Sequence, residues 1–167
     1  MTRSSFRVTI AFKFIKHQFI IYINNMGGNV PDLVIEMMVL DTSGVMKGRT
    51  RLQNTMFLLK EKYGIPISLY FESCFYGPYS EELAHDIEVL KAFKAVKETR
   101  IKANNHYEHH YKLTSKGKGV LRKLLENDEE LRKIYQKIKT HVEEINKIPL
   151  KELIAAAKAL LTTSSSL

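Results

Sequence analysis

The chain has 167 residues, about one domain's worth, of which 44% are hydrophobic and 26% charged, an ordinary globular balance. A single cysteine, Cys74, excludes an intramolecular disulfide framework and fits a reducing cytoplasm. No apolar run approaches the roughly 18–20 residues a membrane span needs, and a net charge of +8 suits an acidic partner.

The charge is unevenly placed. Residues 91–125 carry ten basic residues against two acidic ones, Glu98 and Glu108, whereas residues 32–90 are net acidic. Such a patch can bind phosphate, and it can equally be a solvated lysine-rich surface.

In chain order, Phe6, Val8, Ile10, Phe12 and Phe14 alternate with polar or small residues, a period-2 strand pattern. Phe19 to Ile23 is apolar on both faces. Lys13, Lys16 and His17 interrupt the apolar region, so a secretory signal fits poorly. Met26, followed by Gly27 and Gly28, reads as a possible translation start. Residues 1–30 are therefore taken as a strand-like or disordered extension outside the fold argument.

Pro31 suits the first turn of a helix whose dipole Asp32 and Glu36 complement. Leu33, Met37 and Leu40 share one face, and Asp41 to Gly44 is a stop and turn. Gly48 and Thr50 open a second helix with an apolar stripe of Leu52, Met56, Leu59 and Tyr63, ended by Gly64 and Pro66. Ile65 to Phe71 reads as a strand running on toward Cys74 to Tyr76, with Cys74 a small buried hydrophobe. Gly77-Pro78-Tyr79 breaks it, and Ser80 caps a third helix that buries Leu83, Ile87 and Leu90. Strands around 96–102 and 106–113 flank a turn at Ala103-Asn104-Asn105, where Asn tolerates positive φ. Thr114 or Ser115 caps a short helix, and Asn127 or Asp128 caps a longer one. A last helix spans 150–161, and the tail 162–167 frays.

Helix, helix, strand, helix, β-hairpin and helix is the running order of a winged helix, an α+β winged helix-turn-helix domain (31–125). A C-terminal helical extension (126–162) and a frayed tail (163–167) follow. The basic stretch coincides with the hairpin, or wing, and the helix after it. Double-stranded DNA is the expected partner of a cytoplasmic transcriptional regulator, with phosphates met by Lys47, Arg49, Arg51, Arg100, Lys102, Lys112, Lys116 and Lys118. The third helix speaks against base reading, because Glu81, Glu82, Asp86 and Glu88 would face phosphates. The alternative is a protein-interaction module that uses Tyr79, Glu81, Glu82, His85 and Asp86.

Leu131, Tyr135, Ile138, Val142 and Ile145 step by four, three, four and three, a heptad seam about two heptads long. It fits either the chain's own core or a homodimer, and the homodimer is the preferred expectation. In the run His106-Tyr107-Glu108-His109-His110, strand geometry sets residues four apart about 13 Å from one another, too far for a shared ion. No metal, cofactor or catalytic residue is assigned. The phosphate-loop, dinucleotide, nucleophile-elbow and zinc-protease motifs are absent, so an enzyme is not expected.

Three motifs resemble a winged-helix group of archaea and bacteria related to the Panacea (SocA-like antitoxin) domain. They are Gly48-Arg49-Thr50-Arg51-Leu52-Gln53 with Leu58-Leu59; Tyr76-Gly77-Pro78-Tyr79-Ser80-x-Glu82-Leu83; and Tyr111-x-Leu113-Thr114-x-x-Gly117. The resemblance covers about 70 residues and implies a winged-helix fold in a regulator without defined chemistry. Asn54 stands where that group often has Lys. Turn chemistry alone makes Gly77 to Ser80 a structural strand-to-helix corner.

Overall fold

The computed structural model describes residues 17–21, 23 and 30–164. The strand reading over Phe6–Phe14 and the reading of Met26 lie outside these residues. The apolar run after them corrects an expectation: residues 17–21 and 23 are helical, and Phe19 and Ile23 are buried in the core. Four residues apart, they share a helix face, and the Phe19 ring lies 4.6 Å from that of Phe93.

The chain then forms α1 (Asp32–Ser43), β1 (Met46–Lys47), α2 (Arg49–Glu61), β2 (Glu72–Cys74), β3 (Gly77–Tyr79) and α3 (Glu81–Ala92). It continues with β4 (Val96–Ala103), β5 (His106–Leu113), α4 (Ser115–Glu126), α5 (Glu129–Ile145) and α6 (Leu150–Ser164). This is a mixed α+β fold with small antiparallel sheets, one ordered β1-β5-β4 and one pairing β2 with β3. The two-residue β1, too short for a sequence pattern, closes the first sheet by pairing Met46 with Tyr111 and Lys47 with His110.

Local signals behave as backbone chemistry requires. Ser80 Oγ accepts from Leu83 N, Thr114 Oγ1 from Gly117 N, and Asp128 Oδ1 from Leu131 N, so each helix start has one amide satisfied by a side chain. Gly64 ends α2's turn at φ 62°, and Asn104 takes φ 46° in the hairpin turn.

Helix α1 is not the one-sided helix expected. Every residue from Leu33 to Leu40 is buried, Glu36 included, so Glu36 is no surface partner of the helix dipole. A helix buried all round must be covered all round, and α5 covers one side. Leu131, Ile138, Val142 and Ile145 are therefore buried within this chain, and the Tyr135 hydroxyl hydrogen-bonds Asp41 Oδ2 at 2.5 Å. The seam expected at a homodimer interface is a seam of the chain's own core. Leu153 and Ala157 of α6 join the same cluster, so the C-terminal helices belong to that core. Helix α6 also runs three residues past its expected end, to Ser164.

The strand expected from Ile65 to Phe71 is absent, although its alternation is real. Ile65, Ile67, Leu69 and Phe71 are buried while the residues between them face solvent. Among the described residues no neighbouring strand supplies a ladder. Carboxylates do so instead: Ser68 N donates to Asp32 Oδ1 and Tyr70 N to Glu82 Oε2, each at 2.9 Å. Lys60 Nζ donates to Leu69 O at 2.7 Å. Buried or not, backbone polar groups take partners, and here remote side chains provide them. Gly77-Pro78-Tyr79 is not merely a break: it is itself a strand, β3, that pairs back on the preceding β2, with Cys74 opposite Gly77. Cys74 is consequently exposed rather than buried.

Candidate nucleic-acid interface

The three sequence motifs turn out to hold the fold. Gln53, buried on α2, donates from Nε2 to Ser80 O at 2.9 Å and accepts from Ser80 N at 2.8 Å. Its amide thus acts like a neighbouring strand at the entry to α3. Asn54 Nδ2 donates to Tyr76 O at 3.1 Å and to Thr50 O at 2.8 Å. Arg51 reaches the end of α5, donating to Ile148 O at 2.9 Å and Ile145 O at 3.5 Å. Carbonyls at a helix C-terminus have no intrahelical partner, so Arg51 serves as a clasp and is corrected as a phosphate contact. Lys116 is also corrected: it is buried, and desolvation followed by the charge of Lys94 lowers its ammonium pKa.

Arg49 enters an ionic cluster at the base of the hairpin. Its Nε donates to Tyr111 OH at 3.0 Å, and its Nη2 lies 3.4 Å from Glu98 Oε1 and 3.2 Å from His109 Nδ1. Lys91 and His109 also bond Glu98. Burial alone would raise the Glu98 carboxyl, but hydrogen bonds from Lys91 and His109, the charge of Lys91 and a hydrogen bond from Arg49 outweigh it and hold it at about 2. Because this value lies below the ordinary 4.5, the stabilisation is complete above about pH 4.5 and fades as pH falls toward 2. Glu98→Gln is expected to lose on the order of 2 kcal/mol at pH 7 and to flatten the acid limb of a urea-stability profile between pH 5 and 2. A variant with an unchanged acid limb would remove Glu98 as its cause.

Beyond that cluster the hairpin projects as a two-stranded ribbon. Cross-strand partners share a face. One face carries Arg100 opposite His109 and Lys102 opposite Tyr107, with the Arg100 guanidinium 4.6 Å from the Tyr107 ring centroid. The other carries Lys97 directly opposite Lys112, with Lys47 beside His110 on the adjoining strand. Lys102 and Lys112 therefore sit on opposite faces. Among the described residues, Lys97, Arg100, Lys102 and Lys112 form no ion pair. Lys97 was missed from sequence, although counting back from the Asn104-Asn105 turn pairs it with Lys112. Lys118 is exposed and lies 3.7 Å from Asp41. On the ribbon, Glu108 contacts His110 at 3.1 Å and His106 at 3.8 Å, and no described group of three His, Cys, Asp or Glu side chains is disposed to hold a metal ion.

The alternative surface is divided. Glu81, Glu82 and His85 are exposed on α3 and Asp86 is half-buried, around a cavity of about 500 Å³ completed by Asp32, Ser68 and Leu69. Tyr79 instead lines a separate cavity of about 440 Å³ with Asn54, Cys74, Phe75 and Tyr76. Phe75 is 81% exposed and Tyr76 65%; Tyr76 opens the second sequence motif, whereas Phe75 was not singled out from sequence.

Among the described residues no helix is long and apolar enough to cross a membrane. No family model matches the chain. It is similar to the uncharacterised protein YwgA of Bacillus subtilis (strain 168), with 35% identity over 85 residues. That match spans 51% of this chain and 51% of YwgA, so the chain covers about half the length of this relative.

Proposed function

We propose that the chain is a winged-helix protein that binds the phosphate backbone of double-stranded DNA through its β4–β5 ribbon, in the manner of a transcriptional regulator. The order α1, β1, α2, α3, β4, β5, with β1 closing the sheet, supports the winged-helix reading. So do the three motifs it has in common with the Panacea-related group.

One observation carries the DNA reading: the ribbon bears unpaired cations on both faces. The major groove of B-DNA, about 12 Å wide, admits a two-stranded ribbon between two phosphate rows. A ribbon charged on one face could meet only one of them. Like charges directly opposite each other, as at Lys97 and Lys112, also destabilise a strand pair unless an anion lies between them. Base reading is not assigned to α3, whose exposed side includes Glu81, Glu82 and Glu88. Binding is thus a backbone interaction with weak sequence preference.

Charge reversal of each face in turn tests this. Lys97→Glu/Lys112→Glu and Arg100→Glu/Lys102→Glu should each weaken binding to a random-sequence duplex at least tenfold in 50 mM salt, and each should reduce the salt slope by about 2. If both double variants bind as the parent does, the ribbon has no part in it.

A second reading rests on the aromatic turn. Phe75 and Tyr76 stand exposed beside the 440 Å³ cavity, a composition suited to a protein partner. That surface fits the interaction-module alternative, with Tyr79 at its edge.

A further inference from the structure

The turn that joins β2 to β3 is left bare by the fold. Phe75 and Tyr76 are both exposed there, and their rings meet edge to face, 4.9 Å apart and at 88°. Neither ring therefore covers the face of the other. Neighbouring exposed aromatic rings mark a surface that binds something. The cavity of about 440 Å³ beside them is within the range of small-molecule sites. Asn54 in its wall is completely buried, with Nδ2 committed to Thr50 O and Tyr76 O and Oδ1 without a hydrogen-bond partner. That oxygen lies against Gly77, another wall residue, where a methyl would come within 2.4 Å of it. Buried carbonyl oxygens nearly always have a donor, and here a ligand in the cavity can bring one.

Charge narrows the choice of ligand. Arg49 lines this cavity and also reaches the base of the ribbon, where its Nε donates to Tyr111 OH and its Nη2 lies 3.2 Å from His109 Nδ1. Lys158 of α6 stands over the Phe75 ring, 5.5 Å from its centroid. No described residue lining the cavity is acidic. Aromatic faces flanked by cations bind nucleic acid strands by stacking on the bases and pairing with the phosphates. We propose that the cavity takes an unpaired nucleobase of the DNA held by the ribbon. The base stacks against Phe75 and Tyr76, an N–H on its edge donates to Asn54 Oδ1, and the flanking phosphates meet Arg49 and Lys158. Inside an intact duplex the base faces are taken up by their neighbours, so the ligand is a strand end or a single-stranded overhang. The inference rests on the ribbon reading for its phosphate contacts, and it gives the aromatic turn to nucleic acid rather than to a protein partner.

The test is fluorescence anisotropy of the full chain in about 50 mM salt, where phosphate contacts are strong. The probes are a blunt random-sequence duplex and the same duplex with a three-base overhang of either polarity, with 2-aminopurine as one of the unpaired bases. One overhang duplex should bind about fivefold tighter than the blunt duplex or better, and its 2-aminopurine fluorescence should be quenched as the base stacks. Phe75→Ala/Tyr76→Ala truncates two exposed rings, so the variant should fold normally. It should bring the overhang duplex down to the affinity of the blunt one and remove the quenching. Tyr70→Ala, which truncates an exposed ring outside the cavity, should behave as the parent does. Lys97→Glu/Lys112→Glu should weaken both duplexes and keep their ratio. An overhang duplex that binds with quenching while the blunt duplex does not would refute the ribbon and leave the cavity assignment standing. Equal affinity for blunt and overhang duplexes, or an advantage that survives in Phe75→Ala/Tyr76→Ala, would overturn the cavity assignment.

Discussion

Replacing Gly117 with alanine is expected to cost about 3 kcal/mol or more of folding stability. A methyl there would lie 2.3 Å from the Ala95 carbonyl oxygen and 2.8 Å from Leu113 Cδ1. The carbonyl cannot retreat freely, because it accepts hydrogen bonds from Thr114 N at 2.9 Å and Thr114 Oγ1 at 3.1 Å. The same threonine caps α4 through Gly117 N. The Tyr-Leu-Thr-Gly motif is therefore a joint in which the first turn of α4 lies against the chain entering β4. Alanine ordinarily favours a helix over glycine, so a stabilised variant in chemical denaturation would contradict this account outright.

Gln53→Ala is expected to cost about 2–4 kcal/mol, since it leaves the buried amide and carbonyl of Ser80 without the partners Gln53 supplied. Gln53→Glu separates the two contacts. A carboxylate still accepts from Ser80 N but cannot donate to Ser80 O, so this variant should be destabilised at pH 7 and partly recover below its own pKa. Urea denaturation at pH 7 and pH 4 checks both statements. A Gln53→Ala loss below about 0.5 kcal/mol would mean water replaces the clasp.

These joints show which parts of the molecule a sequence discloses. Ser80, Thr114, Asp128 and Asn104 were legible because each acts within three or four residues of itself, where backbone geometry decides the outcome. The hairpin was legible for the same reason, and with it most of the candidate interface. Partners drawn from distant elements were not. The alternation from Ile65 to Phe71 is that of a strand, yet its hydrogen bonds go to Asp32 and Glu82, 36 and 12 residues away. Arg51 reads as a surface cation until the end of α5 is placed beside it, 97 residues on. Glu36 and Lys116 carry charge in sequence and lie buried in the fold. The heptad pattern of α5 states only that one face is apolar; the buried stretch of α1 decides what covers it. Lys97 is the instructive omission, since its role depends on register rather than residue type.

The most direct measurement of the central claim is a salt titration of the full chain binding to a random-sequence DNA duplex. With four to five ribbon cations meeting phosphates, log affinity should fall against log salt with a slope of about −4. Absence of binding even in 20 mM salt, or a slope near zero, would contradict the phosphate-binding ribbon.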